Sequence, residues 1–260
     1  MEEFKDYGLR PVWDKLLDLY ERFDAFCKEH HLRYYVTGGT LLGAVRHNGF
    51  IPWDDDFDVV MPRPDYQRLI TMREQVAGAR IMNMDTDSDF TQLFSKAWDL
   101  KQDRVWIDVI PIDGMPSGKL AFQFWLLKNW TFRHRDSKAL HWRILYFFLW
   151  GFHKDEADER HDFDRWLSSL AFDTAPFVDD LNGNRRRYAR RCLTAASFGE
   201  PVYHAFDRVQ VPMPRDYAKF LTLIFGPDYM TPPAEGARNG GHQNETCVGE
   251  KYIDTSRIDK

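Results

Sequence analysis

Cysteine is scarce in this 260-residue chain: Cys27, Cys192 and Cys247 are far apart and odd in number. No C-x-x-C pair or Cys/His cluster occurs, which excludes a structural zinc site and fits a reducing cytosol. Long apolar runs are missing too. The most apolar stretch, ILYFFLWGF at 144–152, is about half of the roughly 20 residues that span a bilayer. The opening MEEFKDYGLRPVW is acidic and has no apolar h-region, so neither a span nor a signal peptide is expected. Positive charge is not in excess, since 35 Lys and Arg face 40 Asp and Glu for a net charge of −5. That argues against a general nucleic-acid binder. Internal repeats and low-complexity segments are absent as well.

What is present suffices for a folded enzyme. An apolar share of 43% and an aromatic share of 15% fill a proper core, and the length allows one large domain or a domain with a subdomain. Residues 11–30 place Val12, Leu16, Leu19, Phe23 and Phe26 at steps of three and four, which predicts an amphipathic helix after Pro11. LRYYVTGG reads as a strand running into a tight turn, and TLLGAVRH as a helix with Thr40 as its cap. FDVVM reads as a strand, followed by a helix from Asp65 to about Val76; FSKAW (94–98) and WIDVIPI (106–112) are two further strands. The expectation is an α/β (α+β) core over residues 1–115, a mixed sheet flanked by helices. Residues 116–260 are expected to form a mostly helical subdomain and a tail that completes the site. Residues 155–191 read as helical and end in the arginine run RRRYARR; the tail reads as a turn, a helix and a Gly-Pro stop.

The densest chemistry lies in GGTLLGAVRHNGFIPWDDDFDVVMPR, residues 38–63. Side chains two apart on a strand share a face, so Asp56 and Asp58 point together while Phe57 and Val59 point into the core. Two parallel carboxylates make a hard-oxygen site suited to Mg²⁺ or Mn²⁺. Asp108, flanked by Ile107 and Val109, is the natural third acid from a neighbouring strand. Asp54 has the right parity for a reserve ligand, or else lies in the turn after Pro52-Trp53. Gly38 and Gly39 let the backbone approach a phosphate, and Thr40 opens a helix whose N-terminus offers free N–H groups. Arg46 could reach an anionic oxygen, and Lys96 could neutralise a phosphate or pair with an aspartate. Together these describe metal-assisted phosphoryl or nucleotidyl transfer.

The order G-G, helix, D-h-D-h and a later acid resembles the DNA polymerase β-like nucleotidyltransferase superfamily, and the specific form of residues 38–63 is similar to the LicD family. The likeness continues through WIDVIPID and the tail VPMPRDYAKFL…FGPDYMTPP. That family includes bacterial phosphocholine transferases and fukutin-type ribitol-phosphate transferases. The resemblance implies a CDP-linked alcohol as donor, CDP-choline first among them. It further implies that a hydroxyl of a glycan or lipid-linked glycan, such as a lipopolysaccharide or teichoic-acid precursor, attacks the metal-bound pyrophosphate and that CMP leaves. It places metal-binding acids on Asp56 and Asp58, and Asp108 matches the third; position also makes Asp108 a general base.

Each reading has a plainer alternative. DDDFD could be a solvated acidic turn, Asp108 a buried acid paired with Lys96 or Arg104, Arg46 a surface arginine, and His47 a structural group at the helix end. Trp53, Trp98 and Trp106 could cage a quaternary ammonium or simply pack the core. Segment 120–152, with five basic residues and one acid, reads either as core helices with basic outer faces or as a surface resting on anionic lipid. A cytoplasmic location is expected from the cysteine usage and the missing span and signal, and peripheral contact at the inner face of the membrane follows from the second option. The rival functions are a true nucleotidyltransferase that releases pyrophosphate and a non-catalytic membrane-associated scaffold.

Overall fold

The computed structural model describes residues 7–73, 76, 78–86, 90, 92–102, 105–153, 155–179 and 193–238. Helix α1 (Arg10–Glu29) buries Leu16, Leu19, Tyr20, Phe23 and Phe26 along one face, as its spacing predicts. It leads through β1 (Tyr35–Val36) into α2 (Gly38–His47), then β2 (Asp58–Pro62) and α3 (Arg63–Thr71). Three strands follow: β3 (Ala79–Met82), β4 (Ser95–Asp99) and β5 (Trp106–Met115). The sheet runs β1-β2-β5-β4-β3, with the short β6 (Phe177–Asp179) pairing the far end of β5. Only β2 and β5 run parallel; the other pairs are antiparallel. A mixed sheet with flanking helices is the α/β class that the sequence predicts.

Differences from the sequence reading are local. β3 and the hairpin of β7 (Val202–Phe206) and β8 (Val209–Met213) were not anticipated. Helix α3 starts at Arg63 and ends at Thr71, short of Val76. The helix expected over 155–191 is α6 (Glu156–Leu167), and the chain then turns to form β6; the arginine run at 185–191 lies outside the described residues. Thr40 does not cap α2. The cap position is Thr37, and the helix opens on Gly38 at φ +54°, a left-handed backbone that glycine adopts without strain. The tail ends as expected, with a C-terminal helix (Tyr217–Phe225) stopped at Gly226.

Burial divides the structure unevenly. The main core joins α1 and the sheet to Phe198, Phe206, Val211 and Phe220 from the C-terminal third. Helices α4 (Lys119–Arg133), α5 (Leu140–Trp150) and α6 instead share a second cluster around Phe122, Trp125, Phe132, Trp150 and Phe163. Arg63 links the two parts. Its guanidinium donates twice to Asp113 on β5, at 2.6 Å each, and once to Asp164 on α6 at 2.9 Å. Arg63 and Asp113 are both buried, so removing one partner strands a charge away from water.

Asp113→Ala should therefore lower unfolding free energy by about 3–5 kcal/mol, measured by urea denaturation. A loss below about 1 kcal/mol would show that the pair is dispensable.

Candidate active site

The carboxylate cluster is assembled by the start of β2. The backbone N–H of Asp58 donates to Thr40 Oγ1 at 2.9 Å, its carbonyl accepts from Thr37 N–H at 3.1 Å, and Asp108 N–H donates to the Phe57 carbonyl at 3.0 Å. Thr40, expected to contact the cofactor as a helix cap, therefore acts on the strand: it is buried and pins Asp58 against α2. Register then sets Asp58 directly opposite Asp108 on β5, and Asp108 opposite Lys96 on β4. The three side chains form a row across neighbouring strands.

Asp56 precedes β2 rather than lying in it. The alternation nevertheless extends into this lead-in, with Phe57 and Val59 buried and Asp56 and Asp58 partly exposed. Asp54 follows the Pro52-Trp53 turn, its N–H donating to Ile51 and its carbonyl accepting from Trp13 Nε1 of α1 at 2.8 Å. Asp54 therefore lies just after the turn, as one of its two readings has it, and its carboxylate reaches over Gly39.

Those glycines form the floor. A Cβ on Gly38 would sit 3.0 Å from Asp58 Oδ2, and one on Gly39 would collide with Asp54 Oδ2 and meet Asp56 Oδ1 at 4.0 Å. Three carboxylates thus close over two residues that can have no side chain, at the N-terminus of a ten-residue helix. Burial, followed by the charges of Asp58, Asp54 and Asp108, holds the Asp56 carboxyl well above the usual carboxylate range. All the donors are hard oxygens, and their mutual repulsion is what a divalent cation would relieve, so the set fits Mg²⁺ or Mn²⁺. Among the described residues no three acidic, His or Cys side chains already stand in a metal-ligating group. One reason is visible in Asp108, which is drawn to Lys96, with Nζ–Oδ1 at 2.5 Å.

Lys96 is thereby committed to the aspartate, the second of its two expected roles, and its ammonium also lies 4.6 Å from the centroid of the Trp106 ring. Arg104 lies outside the described residues. Arg46 is partly buried and engaged with the C-terminal segment, donating from Nη1 to the Tyr229 carbonyl and from Nε to His47 Nε2, both at 2.9 Å. Burial and then Arg46 push the His47 imidazole down to about 4. It is accordingly a neutral acceptor, in keeping with its structural reading. The tryptophans pack: Trp98 and Trp106 stack with centroids 5.0 Å apart in a small cluster with Met82 and Phe90, and Trp53 belongs to the main core. Sequence reasoning missed Thr37, which holds Asp58 through its backbone, and Arg238, whose guanidinium lies 5.3 Å from the centroid of the Trp53 ring.

Asp56 binds its proton more tightly in the folded state than in the unfolded one, where the ordinary value is 3.8. Its ionisation therefore erodes stability as pH rises above about 4. In chelator-treated protein, Asp56→Asn should raise Tm by a few degrees at pH 7, with the gap over wild type closing toward pH 4. An unchanged gap across that range would mean that the cluster carries no net repulsion.

Comparison with known proteins agrees with this geometry. Residues 31–148 match the family model described as LicD/FKTN/FKRP, nucleotidyltransferase domain. This stretch contains the glycines, α2, the Asp54–Asp58 cluster, Lys96 and Asp108. The chain is 26% identical over 260 aligned residues to the lipopolysaccharide cholinephosphotransferase LicD of Haemophilus influenzae, covering 89% of this chain and 95% of that protein. It is also 36% identical over 81 residues to an uncharacterized protein of Rickettsia prowazekii, covering 29% of this chain and 30% of the relative. Over residues 31–148, the chain is thus similar to the nucleotidyltransferase domain of the LicD/FKTN/FKRP family.

Proposed function

We propose that this chain transfers phosphocholine, or a closely related phospho-alcohol, from a CDP-activated donor to a hydroxyl of a cell-surface glycan precursor. The observation that carries this reading is the similarity to the Haemophilus cholinephosphotransferase over nearly the whole of both chains. The convergence of Asp54, Asp56 and Asp58 on Gly38 and Gly39 supplies a matching site.

In this reading Asp56 and Asp58 hold Mg²⁺ or Mn²⁺, with Asp54 and Asp108 beside them. When bound, the cation supplies charge neutralisation for a pyrophosphate. The chain's own groups do the rest. Gly38 and Gly39, having no side chains, let the Asp54, Asp56 and Asp58 carboxylates come down onto the backbone, and the first N–H groups of α2 would serve anionic oxygens. Arg46 adds a cation two turns further along the helix, and its anchoring to Tyr229 ties the C-terminal segment to the site. The acceptor oxygen forms a bond to the choline-bearing phosphorus as the P–O bond to CMP breaks, and Asp108 takes the hydroxyl proton. Lys96, ion-paired to Asp108, orients that carboxylate.

The reading is tested by incubating the chain with CDP-choline, Mn²⁺ and a lipopolysaccharide or teichoic-acid precursor, and identifying the nucleotide product. CMP is expected. In a parallel reaction with CTP in place of CDP-choline, release of pyrophosphate with nucleotide left on the acceptor would establish the nucleotidyltransferase alternative instead. Asp58→Ala should abolish turnover. Asp108→Asn should lower kcat by about 10²–10⁴-fold, the usual loss with a general base, while donor affinity changes little. A stability loss with normal specific activity in the folded fraction would assign Asp108 to the Lys96 ion pair alone.

A further inference from the structure

Helices α4 and α5 are apolar on two sides. Their inner faces supply Phe122, Trp125, Phe132 and Trp150 to the second core cluster. On the opposite side of α4, Leu120, Phe124, Leu127 and Trp130 recur at steps of four and three, all exposed, with Leu120 at 85%. Along α5, Leu140, Ile144, Phe147 and Phe148 follow the same rule, again exposed. Phe148 is 77% exposed, and Phe152, just beyond the helix, is 89% exposed and packs on Phe147. The two stripes are joined where the Trp130 and Trp142 rings meet at 5.0 Å. Helices that are apolar all round are ordinarily covered on both sides, and soluble monomers rarely expose a continuous apolar face of this extent.

Charge identifies the cover. Lys119, Arg133 and Arg143 on these helices and Lys138 between them are exposed, and Asp136 is the one acid between residues 119 and 152. A second copy meeting the same face would bring like charge against like charge across a two-fold interface. A bilayer with anionic headgroups offers both requirements at once, an apolar interior for Leu and Phe and negative charge for the flanking cations. Aromatic side chains of the Trp130–Trp142 kind suit the headgroup level, and a basic rim with an apolar stripe is the pattern of helices that lie in the interface. Among the described residues no helix is long and apolar enough to cross a membrane, so contact through this face is peripheral. We propose that the outer faces of α4 and α5 form a reversible docking surface for an anionic lipid bilayer.

The test uses the full chain with vesicles of phosphatidylcholine alone and of phosphatidylcholine with phosphatidylglycerol. Co-sedimentation with the anionic vesicles is expected, diminishing with added salt, together with a blue shift of tryptophan emission as Trp130 leaves water. Lys138→Gln/Arg143→Gln should weaken partitioning by about fivefold per charge removed. Phe148→Ser/Phe152→Ser should weaken it more than tenfold with an unchanged melting temperature, because both rings already face water. Absence of binding to anionic vesicles, or equal binding to both vesicle types, would overturn the proposal. So would a concentration-dependent dimer that the Phe148→Ser/Phe152→Ser variant abolishes and that leaves vesicles unbound; that result would assign the face to a second copy.

Discussion

Repulsion among carboxylates is the constraint around which the catalytic half of this structure is arranged. Asp54, Asp56 and Asp58 close over the Gly38–Gly39 backbone, and Asp108 stands beside Asp58 across a parallel strand pair. Burying so much negative charge opposes folding, and the surrounding scaffold is correspondingly stiff. The start of β2 is held through Thr37, Thr40 and Asp108, the approach to it is tied to α1 through Trp13, and Phe57 anchors the strand in an aromatic cluster with Tyr20, Phe50 and Phe206. The C-terminal third contributes because its hairpin supplies Phe206 to that cluster, with Asp207 N–H donating to the Asn48 carbonyl at the end of α2.

The cations near this cluster are specialised by their partners. Lys96 faces Asp108 directly, whereas Arg46 is held by an imidazole and a backbone carbonyl. Burial, and then the charge of Arg238, lower the Arg46 pKa. A positive zone beside a negative one is the arrangement that a nucleoside diphosphate with a bound divalent cation would complement, in keeping with the proposed donor. The second core cluster, around α4, α5 and α6, is a separate body of packing joined to the sheet by the Arg63–Asp113–Asp164 network.

Much of the site was legible in the sequence because its signals are short-range. The alternation through Asp56, Phe57, Asp58 and Val59, and again through Ile107, Asp108 and Val109, is a direct imprint of strand pleating, whereas the paired glycines, read for the close approach of a phosphate, are met by the protein's own carboxylates. What escaped depends on register and on long-range contact. The Lys96–Asp108 pair is among the alternatives for both residues, but the choice of Lys96 as partner rests on how β4 pairs with β5, which neither segment encodes alone. Thr40 looked like a helix cap because its neighbour Gly38 conceals, in a left-handed backbone, an earlier start to α2. The β7–β8 hairpin turns through Asp207 and Arg208 with Asp207 at φ +53°, without the Asn-Gly or Asp-Gly pair that usually announces such a turn. The apolar outer faces of α4 and α5 were visible only as composition until the inner faces were accounted for.

The central claim is that the Asp54–Asp58 cluster is, as proposed, a divalent-cation site in which burial and the neighbouring carboxylates favour the protonated form of Asp56 when the cation is away. Calorimetric titration of Mn²⁺ into the chelator-treated chain, repeated at pH 6–7 in buffers of different ionisation enthalpy, measures this directly by counting protons exchanged on binding. The account predicts saturable binding with net proton release, and loss of that release in Asp56→Asn. Binding that releases no proton and survives Asp56→Asn unchanged, or no binding with or without CDP-choline, would contradict it.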